Sequence, residues 1–155
     1  MKGSQASGRI VIVEAMRPVQ LIVTDDPAPG DREAIARGLV CYNTEAAGPS
    51  GSRLLAVLIQ DETGATIGGL WGRTGYDWLY VELLHLPRQL RGTGVGRELM
   101  GYAEAEARAR GCRGIWLDTF SFQARGFYEK LGFTLFGQID DHPPGHQRFF
   151  LQKRL

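Results

Sequence analysis

The chain has 155 residues, the size of one domain built on a single core. Its 43% hydrophobic and 23% charged content is that of a globular protein, and no apolar run reaches the roughly 20 residues of a membrane span. Eighteen Lys and Arg against seventeen Asp and Glu leave a net charge of +1. That balance lacks the basic surplus of a nucleic-acid binder, so neither nucleic acid nor membrane is expected as a partner.

Only Cys41 and Cys112 are cysteines, far apart and outside any CxxC spacing. They predict no disulfide framework and no zinc site, and are read as reduced, buried thiols. The N-terminus lacks a signal-peptide pattern, which predicts a cytoplasmic protein. Residues 1–15 precede a second methionine, Met16, and are read as an extension ahead of a single domain over 16–155.

In chain order, Val19–Thr24 reads as a strand, and Asp31 as the N-cap of a helix running through "REAIARGLVCYNTEA". After the loop "AAGPSGSR", "LLAVLIQD" and "TIGGLWGRTG" read as a hairpin around "ETGA". "DWLYVELLHL", apolar apart from Glu82 and His85 beyond its leading Asp77, predicts a central strand. A glycine loop then leads into a helix from Val95 to Arg110, striped by Val95, Leu99, Ala103 and Ala107, supported by Glu104 before Arg108 and closed by Gly111. "RGIWLDTF" is the next strand. "SFQARGFYEKL" reads as a short helix started by Ser121 and stopped by Gly132, and "FTLFGQID" with "QRFFLQKRL" as a closing hairpin around "DHPPGH".

The loop "LRGTGVGREL" sets Gly92, Gly94 and Gly96 at every second position between Arg91 and Arg97. A dinucleotide GxGxxG would need glycine where Arg97 or Leu99 stands, and a P-loop would need GK[ST] after four residues, so both patterns fail. What remains is a strand feeding free N–H groups at a helix N-terminus, a physical site for phosphate or pyrophosphate. The glycines alone are equally compatible with a structural turn.

Arg91-Gly92-Thr93-Gly94-Val95-Gly96 matches R-x-x-G-x-G, and "FYEKLGF" (Phe127 to Phe133) follows one strand later. Together they resemble the GNAT superfamily of acetyl-CoA-dependent N-acetyltransferases, over most of the chain from Val19 onward. The resemblance implies an α/β fold: a mixed central sheet of about six or seven strands flanked by about four helices. It implies acetyl-CoA as cosubstrate, a primary amine of a small molecule as acceptor, and direct attack in a ternary complex. On this sequence it carries the CoA pyrophosphate to the backbone of Arg91, Gly92, Thr93, Gly94, Val95, Gly96 and Arg97. It carries the pantetheine arm to Leu84 and Leu86, with the Leu84 amide polarising the thioester carbonyl. Tyr128 matches the tyrosine that protonates the leaving thiolate, with core packing as the alternative. Ser121 stands where many relatives carry Asn at a cofactor contact.

The resemblance places the base at Tyr80 or Glu82, two residues apart on one strand face, with a water chain as the alternative. Glu82 lies in an apolar stretch, which favours the neutral form of a carboxyl, and the alternative is a structural pair with an arginine such as Arg73. His85 is out of phase with Glu82 and is read on the opposite face. His142 and His146 flank the last turn, Trp71, Tyr76 and Trp78 line either a pocket or the core, and Phe122 and Gln123 are further contact candidates. Three histidines at these spacings make no metal site. The closing hairpin offers an edge for a homodimer. A CoA-binding regulatory protein, and an enzyme acting on a protein, peptide or aminoacyl-tRNA amine, are the competing functions.

Overall fold

The computed structural model describes residues 9–11 and 19–155. The chain divides into two compact units, one ending at Gly48 and the other running from Pro49 to Leu155. The boundary expected at Met16 lies outside the described residues.

In the first unit β1 (Arg9–Val11) pairs antiparallel with β2 (Leu21–Val23). The helix α1 (Asp31–Ala47) follows. Its N-cap is Gly30, in the left-handed region at φ 98°, and not Asp31 as expected. Asp31 is the first helical residue, and its carboxylate accepts from the Ala28 N–H at 2.8 Å, closing the turn from inside the helix. Cys41, expected to be buried, is exposed within this unit, whereas Cys112 in the second unit is buried.

The second unit is a six-stranded mixed sheet in the order β3-β4-β5-β6-β8-β7. Its strands are β3 (Arg53–Gln60), β4 (Thr66–Gly75), β5 (Trp78–His85), β6 (Gly114–Phe120), β7 (Thr134–Asp140) and β8 (Gln147–Arg154). Two helices complete it: α2 (Val95–Ala109) after β5 and α3 (Arg125–Lys130) after β6. Three α-helices and one 3-10 turn (Arg88–Leu90) are thus present among the described residues. Every strand pair in this sheet is antiparallel except β5–β6.

One core lies between the sheet and its helices. Leu55, Leu70, Leu79, Val81, Ile115, Leu117 and Leu151 from the strands meet Met100, Ala103 and Ala107 from α2 and Tyr128 and Phe133 near α3. The apolar stripe of α2 buries Leu99, Ala103 and Ala107, as the 3.6-residue period requires. Its end is a Schellman turn: Cys112 N–H reaches the Ala107 carbonyl and Gly111 N–H that of Arg108, with Gly111 at φ 76°. Glu104 pairs with Arg108 at 2.9 Å and also with Lys153 of β8 at 2.6 Å, tying helix to sheet.

The two central strands diverge. Parallel pairing runs from Trp78↔Gly114 to Val81↔Leu117 and then stops, although β5 continues to His85 and β6 to Phe120. On its other side β5 stays paired with β4 as far as His85, so among the described residues one edge of its C-terminal half has no strand partner. The result is a fork at the carboxyl ends of the parallel pair.

Candidate active site

The glycine loop follows directly from one arm of the fork. Gly94, at φ 98°, is the N-cap of α2, and Gly92 has φ 78°. A side chain at either position would force a strained left-handed residue. Gly96 serves a different end: a Cβ there would come within 2.9 Å of Leu86 Cδ1 and 3.3 Å of Phe127 Cζ. Its missing side chain lets the end of β5, the start of α2 and α3 close on one point. Among the described residues, the backbone N–H groups from Gly92 to Gly96 have no protein acceptor, and the helix ladder begins with Arg97 and Glu98 donating to the Gly94 carbonyl. The arrangement is a nest of donors at the positive end of a helix dipole.

Arg91 and Arg97 are exposed beside it. The Arg91 guanidinium donates from Nε to the Leu86 carbonyl at 3.1 Å, and the Thr93 hydroxyl to the Leu90 carbonyl at 2.8 Å. The first contact ties the loop to the end of β5, and the second ties it to the 3-10 turn. Leu84 and Leu86, expected to offer backbone groups, lie on the free arm of the fork and just beyond it.

Tyr128 is 7% exposed, with its ring edge-on to Phe127 and Phe133 at centroid distances of 5.1 and 6.0 Å. Among the described residues its hydroxyl has no hydrogen-bond partner and no buried side-chain polar atom lacks one. The ring is therefore core and the oxygen reaches accessible surface. Burial, aided by the negative charge of Asp118, pushes the phenol up to about 12.

Across the fork, Glu82 is the extra residue of a β-bulge. Trp71 opposes Leu83 and Gly72 opposes Val81, leaving Glu82 without a partner on β4. Gly72 permits this, because a Cβ there would run into the Tyr80 carbonyl. Leu79, Val81 and Leu84 all face the core, an odd step from Val81 to Leu84 that the bulge absorbs. Alternation from Leu84 then returns His85 to the side of Tyr80, correcting the expected opposite face. Glu82 is engaged by Arg73, Nε to Oε1 at 3.1 Å, so the structural pairing foreseen for this acid is formed.

Tyr80 stacks on Trp116 at 3.9 Å with 9° between the rings, and its hydroxyl lies 3.5 Å from Asp118 Oδ1. Arg148 Nε donates to Asp118 Oδ2 at 2.7 Å. Burial first, then the charges of Asp118 and Glu82, raise the Tyr80 phenol above its ordinary value. Asp118 and Arg148 were missed in the sequence, where the readable signal was a lone charge inside the otherwise apolar "GIWLDTF".

Ser121 does not start α3, which begins at Arg125 after Ala124. Its hydroxyl accepts from Gln147 N–H and meets His146 Nδ1, each at 3.2 Å, pinning the β6–α3 turn to the start of β8. The turn itself is closed by Gln123, whose Oε1 accepts from Phe120 N–H at 2.8 Å and from the Thr119 hydroxyl at 3.1 Å. The helical part of "SFQARGFYEKL" is shorter than expected for this reason. Phe122 stacks on Phe120 and stands edge-on to His146, and Trp78 lies under Arg154 and against Gly114.

The sequence model of the Acetyltransferase (GNAT) family matches residues 22–133. This chain belongs to the GNAT family. Acetyltransferase Atu2258 of Agrobacterium fabrum is 40% identical over 134 residues, covering 86% of this chain and 98% of that one. Blasticidin-S acetyltransferase of Streptomyces morookaense is 43% identical over 95 residues, covering 61% of this chain and 70% of the relative. A crystal structure of an acetyltransferase from Agrobacterium tumefaciens matches with a TM-score of 0.80 at 40% identity, over 86% of this chain and 98% of that chain. The GNAT chain is thus an acyltransferase by family, and its six-stranded mixed sheet is the fold its relatives share.

Proposed function

We propose that this GNAT enzyme moves an acetyl group from acetyl-CoA to the primary amine of a small molecule, by direct attack in a ternary complex. The observation that carries the reading is the fork, whose free arm leads straight into the nest of N–H donors from Gly92 to Gly96. A pantetheine arm laid along Leu84 and Leu86 would bring a pyrophosphate to that nest. Arg91 and Arg97 add positive charge there, and the Leu84 amide polarises the thioester carbonyl.

Tyr128 is the general acid. Its raised phenol stays protonated throughout the neutral range, so it holds a proton ready for the departing thiolate. Tyr80 and Glu82 stand on the acceptor side of the fork, as hydrogen-bond partner and base candidates for the incoming nitrogen. Ser121 belongs to the frame that holds α3, and so Tyr128, in place. A relative named for blasticidin-S acetylation and the near-neutral charge of this chain support a small-molecule acceptor.

The test is acetyl-CoA-dependent thiol release with blasticidin S, kanamycin, spermidine, free amino acids and short peptides as acceptors, with calorimetric binding of acetyl-CoA alongside. Turnover with a small amine is expected. Turnover confined to peptides would move the acceptor to the macromolecular class, and tight acetyl-CoA binding with no turnover would favour the regulatory reading.

A further inference from the structure

Where the parallel pairing of β5 and β6 ends at Val81↔Leu117, the next residue on each strand is an acid, Glu82 on one and Asp118 on the other. Each takes an arginine from the strand outside it, but the two pairs differ. Glu82 is 26% exposed and its Arg73 57%, whereas Asp118 is 14% exposed and its Arg148 32%. Arg148 binds Asp118 through Oδ2 only, leaving Oδ1 turned to the Tyr80 hydroxyl at 3.5 Å, beyond the span of a short O–H···O bond. Stacking on Trp116 fixes the Tyr80 ring in that position. A phenol that donates its single proton to Asp118 can only accept from anything else, so its free lone pairs select an N–H donor.

We propose that Tyr80 and Asp118 form a proton relay serving the acceptor nitrogen, with Arg148 as the positioning residue that holds Asp118. The relay rests on the acetyl-transfer reading given above. As the nitrogen lone pair bonds to the thioester carbon, the carbonyl π pair moves to oxygen. The nitrogen's proton passes to Tyr80 Oη while the Tyr80 proton passes to Asp118 Oδ1. The oxygen pair then returns, the C–S bond breaks, and the thiolate takes the Tyr128 proton. Tyr80 never carries a phenolate charge. Because Asp118 raises the Tyr128 phenol while ionised, its neutralisation makes Tyr128 a better acid at the step that needs one. The ionisable groups around the Tyr80–Asp118 pair are Arg148 from β8 and Tyr128 from α3 at Asp118, and Glu82 from β5 at Tyr80, with Arg73 behind Glu82.

Acetyl transfer is followed with whichever of blasticidin S, kanamycin or spermidine turns over. Tyr80→Phe and Asp118→Asn are each expected to lower kcat about a hundredfold at unchanged KM for acetyl-CoA, and the double variant to be no slower than either alone. Arg148→Met keeps the acid but removes its cation, and is expected to move the acid limb of the kcat profile to higher pH. Glu82→Gln is expected to lose less than Asp118→Asn. The reverse order, additive losses, or an unmoved acid limb in Arg148→Met would overturn the relay while leaving acetyl transfer intact. The ultraviolet titration of Tyr80, taken as wild type minus Tyr80→Phe, reads the pair without any acceptor. It is expected to fall to lower pH in Asp118→Asn, and an unchanged titration would also overturn the proposal.

Discussion

The ring of Tyr128 lies among Phe127 and Phe133 while its oxygen reaches accessible surface, and under the proposed function that oxygen serves the fork. Tyr128→Phe keeps the packing and removes only the proton. It is expected to lower kcat by at least a hundredfold at constant affinity for acetyl-CoA, read by steady-state kinetics and calorimetry. The same burial links Tyr128 to stability. A phenol at about 12 in the fold and 10.0 when exposed favours the folded state while it is neutral. That contribution is complete below pH 10 and is lost as pH rises toward 12, amounting to about 2 to 3 kcal/mol. Urea unfolding between pH 9 and 11.5 is expected to show a steeper loss in the wild type than in Tyr128→Phe. At this scale the sequence spoke unevenly. Tyr128 was legible because it falls inside "FYEKLGF", whereas Asp118 carries no motif and gains meaning only from where the β5–β6 pairing stops.

The glycine loop tests the account at the level of elements. Gly94→Ala places a side chain on a backbone at φ 98°, where nothing else lies within 4 Å, so its cost is conformational, about 1 to 2 kcal/mol. It is expected to disturb the nest and raise KM for acetyl-CoA at least tenfold. Gly96→Ala instead presses on Leu86 and Phe127, an overpacking of about 1 to 3 kcal/mol visible as a lowered Tm. The helix α2 was readable because its apolar period matches its burial, and β4 is found over the very residues that the hairpin reading predicts. The bulge at Glu82 was not readable, since an inserted residue leaves no mark of its own in a strand that is apolar on both sides. That single insertion misplaced His85. The caps failed for local reasons: Asp31 and Ser121 are good cap residues, but Gly30 supplies a left-handed turn, and Gln123 closes the turn after β6 while Ser121 is tied to the start of β8.

For the whole molecule, the sheet is a frame that parts two central strands, the loop ahead of α2 carries a donor nest beyond one arm of the opening, and α3 carries the phenol proposed as the acid. Binding acetyl-CoA to this frame and not to the unfolded chain stabilises it by mass action, about 2.7 kcal/mol at a hundred times Kd, so Tm is expected to rise with acetyl-CoA concentration. The measurement that bears most directly on the account is the initial rate of thiol release over a grid of acetyl-CoA and amine concentrations. Intersecting double-reciprocal lines are expected, as direct attack in a ternary complex requires. Parallel lines, the signature of an acetylated enzyme intermediate, would contradict it.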